Sequence, residues 1–311
     1  MNYLRASQIS DGTILLFGGA GSTSAIGDIA DDLFAIRAVG IAPSTVVTTS
    51  GKTILSPLST ITATRYISGN IGGIGKLSLA LAAADLDPRA FDGLDLVVSM
   101  TQAYSSATGS FDTYAWNQAL AMMGMAAAGE QIPITATRNL AGRITGSGGF
   151  EYGAGFGADT NTTGLVLEAL VCGGYPITST EVLSALAYLK SVQHGDAGFD
   201  YDGTSSDSDI NSTAIVIQGI LSSKNDPTGS AWQIAGSNPI SYLLSAVRPD
   251  SGIYTGTSTY KASQTAAAIP ALMSRTLPFS SRAVYVRRVA ANQALFFPYD
   301  QHRIMLPMIN N

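Results

Sequence analysis

The chain has 311 residues, which suits one large domain or two ordinary ones, with a net charge of −5 and a pI of about 4.9. Hydrophobic residues make up 46% of the chain and charged residues only 13%, so Ser, Thr, Gly and Ala supply much of the surface. No basic patch stands out except at 282–288, which argues against nucleic acid as a partner. The single Cys172 excludes an internal disulfide, and two histidines are too few for a His-rich metal site.

Six segments share one pattern, in which an Ala- and Leu-rich helix runs into a short turn that contains Gly or Pro. In chain order they are Phe34–Pro43, Leu77–Pro88, Ala119–Pro133, Leu165–Pro176, Ala214–Pro227 and Ala266–Pro278. Alignment of the segments places these residues at one position: Ile36, Leu81, Met125, Leu170, Ile220 and Leu272. Their spacings are 45, 44, 45, 50 and 52 residues, which predicts a repeated structural unit over almost the whole chain.

A second feature precedes most of these helices: a Gly turn followed by an apolar residue. The copies are Gly12-Thr13-Ile14, Gly109-Ser110-Phe111, Gly148-Gly149-Phe150 and Ala197-Gly198-Phe199, with Ser251-Gly252-Ile253 as a degenerate one. Gly supplies the positive φ that a tight turn needs, and the apolar side chain can then fill the gap between adjacent hairpins. The second repeat, around residues 65–75, lacks this turn.

Upstream of each turn lies a candidate amphipathic helix, of which Thr180–Gln193 is the clearest. Its apolar face is predicted to carry Val182, Leu183, Leu186, Leu189 and Val192. Each repeat is therefore interpreted as helix, Gly turn, helix, Pro turn, with an amphipathic outer helix and an Ala/Gly-rich inner one. Such hairpins must stack to bury their faces, and either an open solenoid or a closed ring satisfies that need.

The segment Gln193-His194-Gly195-Asp196-Ala197-Gly198-Phe199 resembles the Gln…Asp-Gly-Gly-Phe/Trp repeat of squalene–hopene cyclases and prenyltransferase-type toroids. Asp159–Thr163 and Asp209–Thr213 are similar to the starts of the inner helices in that family. The resemblance implies an all-α fold, an α6/α6 toroid of six helical-hairpin repeats over residues 1–278, with a central cavity. Residues 279–311 are then expected to form a C-terminal helix or tail packed on the toroid.

Class II terpene cyclases of this family protonate an alkene with the middle Asp of an Asp-x-Asp-Asp-Thr motif. The similar segment here is Asp209-Ile210-Asn211-Ser212-Thr213, which puts Asn211 in the place of the proton donor, and the other copy has Asn161 there. An amide has no acidic proton to give. A shifted register offers Asp207 and Asp209 as alternative acids, but it places Ile210 where the last Asp belongs.

The other branches of the family fit less well or leave the ligand open. Prenyltransferase β-subunits hold zinc with an Asp-x-Cys pair, but Leu170 lies two residues before Cys172, so no metal site is predicted. Complement-type thioester domains need a Glu-Gln after the cysteine, and Gly173 and Gly174 follow instead. Cobalamin carriers use the toroid for binding without catalytic residues, so a cobalamin-like ligand is compatible, although no cofactor is predicted.

Carboxylates near the inner-helix starts are expected to cap those helices and to surround one mouth of the toroid. Asp28 belongs to this group, and Tyr, Trp and Asn side chains near the same mouth suit an apolar or planar ligand or contacts between helices. The candidate ligand-binding residues are Asp112, Tyr114, Trp116, Tyr152, Asp159, Asn161, Tyr201, Asp209, Asn211 and Tyr260. His194 is expected to be exposed in its turn.

The leading hypothesis from the sequence is a non-catalytic toroid that binds a small-molecule ligand or a partner protein. The alternatives are a divergent class II terpene-cyclase-like enzyme acting on a polyprenyl substrate, and a structural subunit of an assembly. No run of roughly 20 apolar residues predicts a membrane span, and Met1–Arg5 has no signal-peptide core. The Ser/Thr-rich, lysine-poor composition is typical of an extracellular or cell-surface protein.

Overall fold

A computed structural model describes residues 1–14, 24–58, 64, 66–256 and 260–279. The described part is mostly helical. Its helices are α1 Asn2–Ala6, α2 Ser24–Ala38, α3 Ile71–Ala83, α4 Leu96–Ala103, α5 Ala115–Ala127, α6 Ile134–Ala141, α7 Thr160–Cys172, α8 Thr180–Ser191, α9 Ile210–Ser222, α10 Pro239–Ser245 and α11 Lys261–Leu272. Short 3₁₀ helices span Pro43–Thr45 and Ser230–Trp232, and strands β1 Phe150–Glu151 and β2 Ala158–Asp159 pair antiparallel.

Six helices form the interior and pack on one another in chain order. We call α2, α3, α5, α7, α9 and α11 the buried helices. Each packs against the next, from α2 to α3, α5, α7, α9 and α11, and α11 packs back against α2. The remaining helices flank this set: α4 contacts α3 and α5, α6 contacts α5 and α7, α10 contacts α9 and α11, α8 contacts α7, and α1 contacts α11.

The buried helices approach closely because glycines face each other across two of the pairs. A Cβ on Gly124 of α5 would lie 2.7 Å from the Cα of Gly75 on α3, and a Cβ on Gly219 of α9 would lie 2.8 Å from the Cα of Gly164 on α7. Side chains cannot fit at such separations. The Gly-rich start of α3 is thus a packing surface.

All six buried helices end in the same way. A backbone N–H donates to the carbonyl five residues earlier, and the residue between them that has positive φ is Gly40, Asp85, Gly129, Gly174, Lys224 or Ser274. The accepting carbonyls belong to Ile36, Leu81, Met125, Leu170, Ile220 and Pro270. Five of these residues match the sequence alignment, but the sixth is Pro270 and not Leu272. The hydrogen bond that ends α11 is accepted two residues before the position that the alignment predicted.

The left-handed turn also occurs in all six repeats, which corrects the expectation for the second one. There the Thr48 N–H donates to the Lys52 carbonyl around Gly51, whose φ is +77°, and Val47 forms a bridge to Thr53. Thr53 stands where the other copies have Ile or Phe. The sequence search missed the turn because it looked for that apolar residue and because it looked near 65–75.

Each later turn is fastened to its buried helix by a side chain. Three threonines accept a hydrogen bond at 2.9 Å from the N–H of the buried apolar residue that follows the turn. They pair as Thr163 with Phe150, Thr213 with Phe199 and Thr265 with Ile253. In the third repeat Gln118 accepts the N–H of Phe111. The burial of Phe111, Phe150, Phe199 and Ile253 confirms that these side chains fill gaps between helices.

Helix α8 occupies the predicted amphipathic segment, with one correction to its apolar face. Val182 and Leu189 are buried, as expected, but Leu183 is 54% exposed. The buried stripe runs through Val182, Ala185 and Leu189, at the i, i+3, i+7 spacing of a helix, and Leu183 lies off that stripe. Most of the predicted C-terminal segment, residues 279–311, lies outside the described residues; only Phe279 is described.

We predict that Thr213→Val destabilises the fold by about 1–3 kcal/mol, because the buried N–H of Phe199 then has no acceptor. Thr213→Ser keeps the hydroxyl and should lose much less. Urea denaturation of both variants, read by circular dichroism, measures the difference. Equal stability of the Val and Ser variants would show that this hydrogen bond does not fasten the turn.

Candidate active site

Three carboxylates lie on one buried helix, α2, four or fewer residues apart. Asp28 and Asp32 are buried, and Asp31 lies between them in sequence with 39% of its side chain exposed. Asp28 shares a helix face with both, because residues three and four apart are neighbours on a helix surface. The structure thus places Asp28 inside the helix and not at its start, so it cannot cap α2 as the sequence analysis expected.

Asp32 is the most unusual of the three. It is fully buried, and neither of its carboxylate oxygens has a hydrogen-bond partner among the residues that the structure describes. Burial raises the pKa of Asp32 well above its ordinary value, and the like charges of Asp31 and Asp28 raise it further. The group therefore favours its protonated form at neutral pH.

Asp31 differs from Asp32 because a lysine from the next buried helix meets it. The Nζ atom of Lys76 lies 2.8 Å from Oδ1 and 2.9 Å from Oδ2 of Asp31. Burial raises the pKa of Asp31, and Lys76 opposes this effect. Burial alone would lower the pKa of Lys76, but the charge of Asp31, that of Tyr66 and the hydrogen bond to Asp31 leave it raised.

Both members of this ion pair are desolvated by the surrounding protein, yet Lys76 keeps 23% and Asp31 39% of its side-chain surface exposed. Tyr66 completes the group: burial raises its pKa, and a Cβ built on Gly27 of α2 would lie 3.6 Å from the Tyr66 hydroxyl. We call Asp28, Asp31, Asp32, Tyr66 and Lys76 the interior cluster.

A further buried carboxylate lies on α7. Glu168 is 2% exposed, its Oε2 accepts the Leu277 N–H at 2.7 Å, and burial raises its pKa to about 8. Two residues along, Phe279 contacts the Phe34 ring of α2 with centroids 6.1 Å apart. The segment after α11 thus touches α7 and α2, near the C-terminal ends of both helices.

The residues that the sequence singled out lie mostly at the other ends of the buried helices. Asp159 and Asp209 are the N-caps of α7 and α9, and they accept the N–H groups of Thr162 at 2.6 Å and Ser212 at 2.7 Å. Burial raises the pKa of Asp159. Asp207 is exposed.

The structure brings some of the aromatic candidates together. The Tyr152 ring lies 5.0 Å from that of Tyr114 and 5.8 Å from that of Phe156, which is 73% exposed and was not among the candidates. Tyr201 and Tyr260 are exposed, and Trp116 is partly buried against the core. The ligand-binding role of these aromatic residues therefore stays a prediction.

The polar candidates have distinct surroundings. Asp112 accepts the N–H of Tyr114 at 2.7 Å. The Oδ1 atom of Asn161 accepts a long hydrogen bond of 3.4 Å from the Thr160 hydroxyl, whereas Oδ1 of Asn211 is buried without a partner in the described residues. Their roles in binding also stay predictions.

His194 is more enclosed than its turn position suggested. Its side chain is only 14% exposed, and Nε2 lies 3.0 Å from Oδ1 of Asp200. Asp200 in turn accepts three backbone N–H groups, from Gly203, Thr204 and Ser205. This carboxylate orders its own loop.

Within the described ranges, no three His, Cys, Asp or Glu side chains lie together as a metal-binding group. A search of the same residues finds no helix with the length and hydropathy of a membrane span.

The sequence analysis missed Asp31, Asp32, Lys76 and Glu168. A signal was available, since Glu168 lies within a segment that the repeat predicted to be an Ala- and Leu-rich helix, and Asp31, Asp32 and Lys76 lie directly before two such segments. Charged side chains are almost never fully buried unless they are paired or functional. The sequence motifs lie at the helix starts, whereas Asp31 and Asp32 lie in the middle of α2.

Comparison with known proteins shows the fold. No protein-family model and no curated protein matches the chain. Among solved structures, the type II terpene cyclase MstE from Scytonema has a TM-score of 0.59 at 13% identity, over 87% of this chain and 94% of that one. A variant of it in complex with merosterolic acid A, its product, has a TM-score of 0.59 at 13% identity, over 88% and 93% of the chains.

A glycosidase in complex with glucose is also similar, with a TM-score of 0.50 at 11% identity, over 88% of this chain and 92% of that one. The terpene cyclase/prenyltransferase-like resemblance inferred from the turn motif is therefore confirmed at the level of fold. At such low identity the likeness shows the fold alone, because one fold hosts several activities.

We predict that Asp32→Val stabilises the protein by about 1–3 kcal/mol at pH 7, since it removes a buried polar group without a partner. Val166 and Val216 occupy the equivalent positions of α7 and α9, four residues before Leu170 and Ile220, so Val fits the repeat. Urea denaturation measures the change, with the exposed Asp207→Val as control. Destabilisation by Asp32→Val alone would show that this carboxyl group supports the fold.

Glu168 predicts a specific pH dependence of stability. Its folded pKa of about 8 exceeds the ordinary 4.5, so the native state holds the extra proton between these values and the free energy of unfolding falls as pH rises through that window. Glu168→Gln should flatten this fall while it keeps an acceptor for the Leu277 N–H. Urea denaturation at pH 5 and pH 8 tests it, with Asp207→Asn as control. An unchanged pH dependence would contradict the assignment.

Proposed function

We propose that this protein is a proton-initiated cyclase of the class II terpene type, acting on a polyprenyl substrate with Asp32 as the acid. One observation carries the proposal: a fully buried carboxyl group without a hydrogen-bond partner among the described residues, next to two further carboxylates on the same helix. It favours the enzyme alternative over the non-catalytic hypothesis, whose basis was the lack of an acid at Asn211 and Asn161.

The proposal includes a closed α6/α6 toroid of six repeats. The return of α11 onto α2, the repeated helix endings and the six left-handed turns support a ring over an open solenoid. In a ring of six, α2 and α7 lie opposite each other. The exposed fractions of Asp31 and Lys76 would then face a central cavity, and the residues from Leu277 to Phe279 would cross its end from α7 to α2.

The chemistry requires a carboxylic acid that keeps its proton at neutral pH. Desolvation and the charges of Asp31 and Asp28 provide this for Asp32. A raised pKa also makes Asp32 a weaker acid, which raises the barrier to proton transfer. Stabilisation of the transition state by the nearby carboxylates partly offsets that increase. The positive charge that moves onto the substrate stays in the field of the same carboxylates, in surroundings where water does not screen it.

The proposed reaction step is a proton transfer to an alkene. The Asp32 hydroxyl transfers its proton to the less substituted carbon of a terminal alkene, so that an O–H bond breaks, a C–H bond forms and a carbocation remains on the more substituted carbon. Neighbouring alkenes then attack in turn and close rings. Loss of a proton from the last cation gives the product, so no electrons are gained or lost and no cofactor is required.

The substrate class rests on the fold neighbours and on an exposed aromatic group at the helix starts. A variant of MstE binds its substrate geranylgeranyl dihydroxybenzoate, with a TM-score of 0.58 at 12% identity. At the helix starts of this chain, Tyr114, Tyr152 and Phe156 form an exposed aromatic group through which an apolar chain could enter. We therefore expect a polyprenyl chain, with a head group that the sequence does not identify.

We predict that the purified protein cyclises a member of a polyprenyl panel that includes geranylgeranyl dihydroxybenzoate. Asp32→Asn should lower the turnover at least about 100-fold, because the amide cannot donate the proton. Product analysis by mass spectrometry measures this. Asp207→Asn and Asp209→Asn are matched controls for the acids that the sequence offered, and each should retain most activity.

Two results would contradict the proposal. Full activity of Asp32→Asn, or loss of activity in the Asp207 or Asp209 variant while the fold is intact, would assign the acid elsewhere. A wild-type protein that converts no member of the panel, and that carries a non-isoprenoid molecule in native mass spectra, would favour the second candidate function.

That second candidate is binding without chemistry, by a toroid that holds a small molecule or partner protein outside the cell. The observation in its favour is the pair Asn161 and Asn211, amides at the positions where the cyclase motif has its donor. A corrinoid found at one molecule per chain would support it. An extracellular or cell-surface location belongs to this candidate as a proposal.

A further inference from the structure

Two adjacent carboxyl groups of the interior cluster, those of Asp31 and Asp32, have different surroundings. Both oxygens of Asp31 lie within 2.9 Å of the Lys76 ammonium group, whereas neither oxygen of Asp32 has a hydrogen-bond partner among the described residues. Lys76 comes from α3 and Asp31 from α2, and the two helices pack directly on each other. The asymmetry is thus built by the pairing of the first two buried helices.

We propose that Lys76 is a positioning residue that decides which of the two adjacent carboxyl groups carries the proton. Lys76 keeps Asp31 ionised, so that the proton resides on Asp32. This inference rests on the proposed function, in which Asp32 is the acid. Lys76 itself need not touch the substrate.

The physical reason is the competition between two neighbouring acids in a poorly solvated site. Without a cation, Asp31 and Asp32 would compete for a proton, and either could hold it. An ammonium group that contacts both oxygens of Asp31 stabilises the anion at that residue alone. The resulting charge on Asp31 then acts on Asp32 as a like charge and retains the proton there.

Among the residues that the structure describes, the other charged groups near α2 do not supply this selection. Asp28 acts on both carboxyl groups as a like charge, and Tyr66 is coupled to the same cluster. From α11, which also packs on α2, Lys261 lies 4.7 Å from the Tyr254 ring centroid. Arg37 of α2 pairs with Asp85. The 3₁₀ helix Pro43–Thr45 carries no charge.

The cluster therefore separates two roles that a single carboxyl group cannot combine. The protonated Asp32 is the donor, and the ionised Asp31 remains as a fixed negative charge beside the cation that forms. The ammonium group of Lys76 partly offsets that negative charge. The main expected effect of replacing Lys76 is therefore a change in which of the two carboxyl groups, Asp31 or Asp32, is protonated.

We predict the outcome of a carboxyl titration followed by NMR on full-length protein labelled with ¹³C at Asp carboxyl carbons. Signals of Asp31 and Asp32 are assigned from the Asp31→Asn and Asp32→Asn variants. In wild type, Asp31 should ionise at lower pH than Asp32. In Lys76→Met, the Asp31 midpoint should rise by about 1–3 pH units, because an adjacent opposite charge lowers a carboxyl pKa by that amount.

Controls separate charge from packing. Lys76→Arg keeps the positive charge and should restore the wild-type order of titration, whereas the surface variant Lys190→Met should leave both midpoints unchanged. Since Lys76→Met could unfold the protein, the double variant Asp31→Asn/Lys76→Met provides a second test without an unpaired charge. In it, the Asp32 midpoint should fall relative to wild type, because its nearest like charge is gone.

An unchanged Asp31 midpoint in folded Lys76→Met, or an unchanged Asp32 midpoint in the double variant, would overturn the inference. These titrations need no substrate, so they are independent of the proposed reaction. If the order of titration is as expected but no polyprenyl substrate is cyclised, the proposed function fails alone. If Asp32 carries the reaction and Lys76→Met leaves the titration order intact, only the role of Lys76 fails.

Discussion

Helices that are buried over most of their surface impose the main constraint on this molecule. The six buried helices pack on one another and on the flanking helices, so a polar side chain within them must find a partner or destabilise the fold. Thr163, Thr213 and Thr265 meet that requirement by accepting the N–H of the residue after each turn. Among the described residues, three side chains of the buried helices have a buried polar atom without a partner, and Asp32 is the acidic one of the three, which directs attention to α2.

The repeats therefore share their backbone hydrogen bonds at the helix ends but differ in the charged side chains that they carry. Every buried helix ends with the same hydrogen bond and a residue of positive φ, which fixes the hairpin geometry six times. The charges are concentrated on α2 and α3, where no fastening threonine occurs and where Asp31 and Lys76 form an ion pair. The framework is thus common to the six repeats, whereas the ion pair of Asp31 and Lys76 belongs to two of them.

Much of the fold could be predicted from the sequence, because spacing and turn chemistry are local properties. The helix endings, the Gly turns and the cyclase-like fold all follow from residues close in sequence, although the turn at Gly51 was missed when Thr53 replaced its apolar residue. The site was harder, because the pairing of Lys76 with Asp31 joins residues 45 positions apart. A motif search at Asp209–Thr213 could not detect an acid on another helix.

The central claim is that a polyprenyl chain reacts inside the ring of buried helices, beside Asp32. A crystal structure with an unreactive, saturated polyprenyl analogue tests it most directly, since it locates the ligand without any turnover. The account predicts a chain enclosed by the buried helices, with its end against the Asp32 carboxyl group. A chain bound only on the exposed aromatic group of Tyr114, Tyr152 and Phe156, or an interior too small to admit it, would contradict the claim.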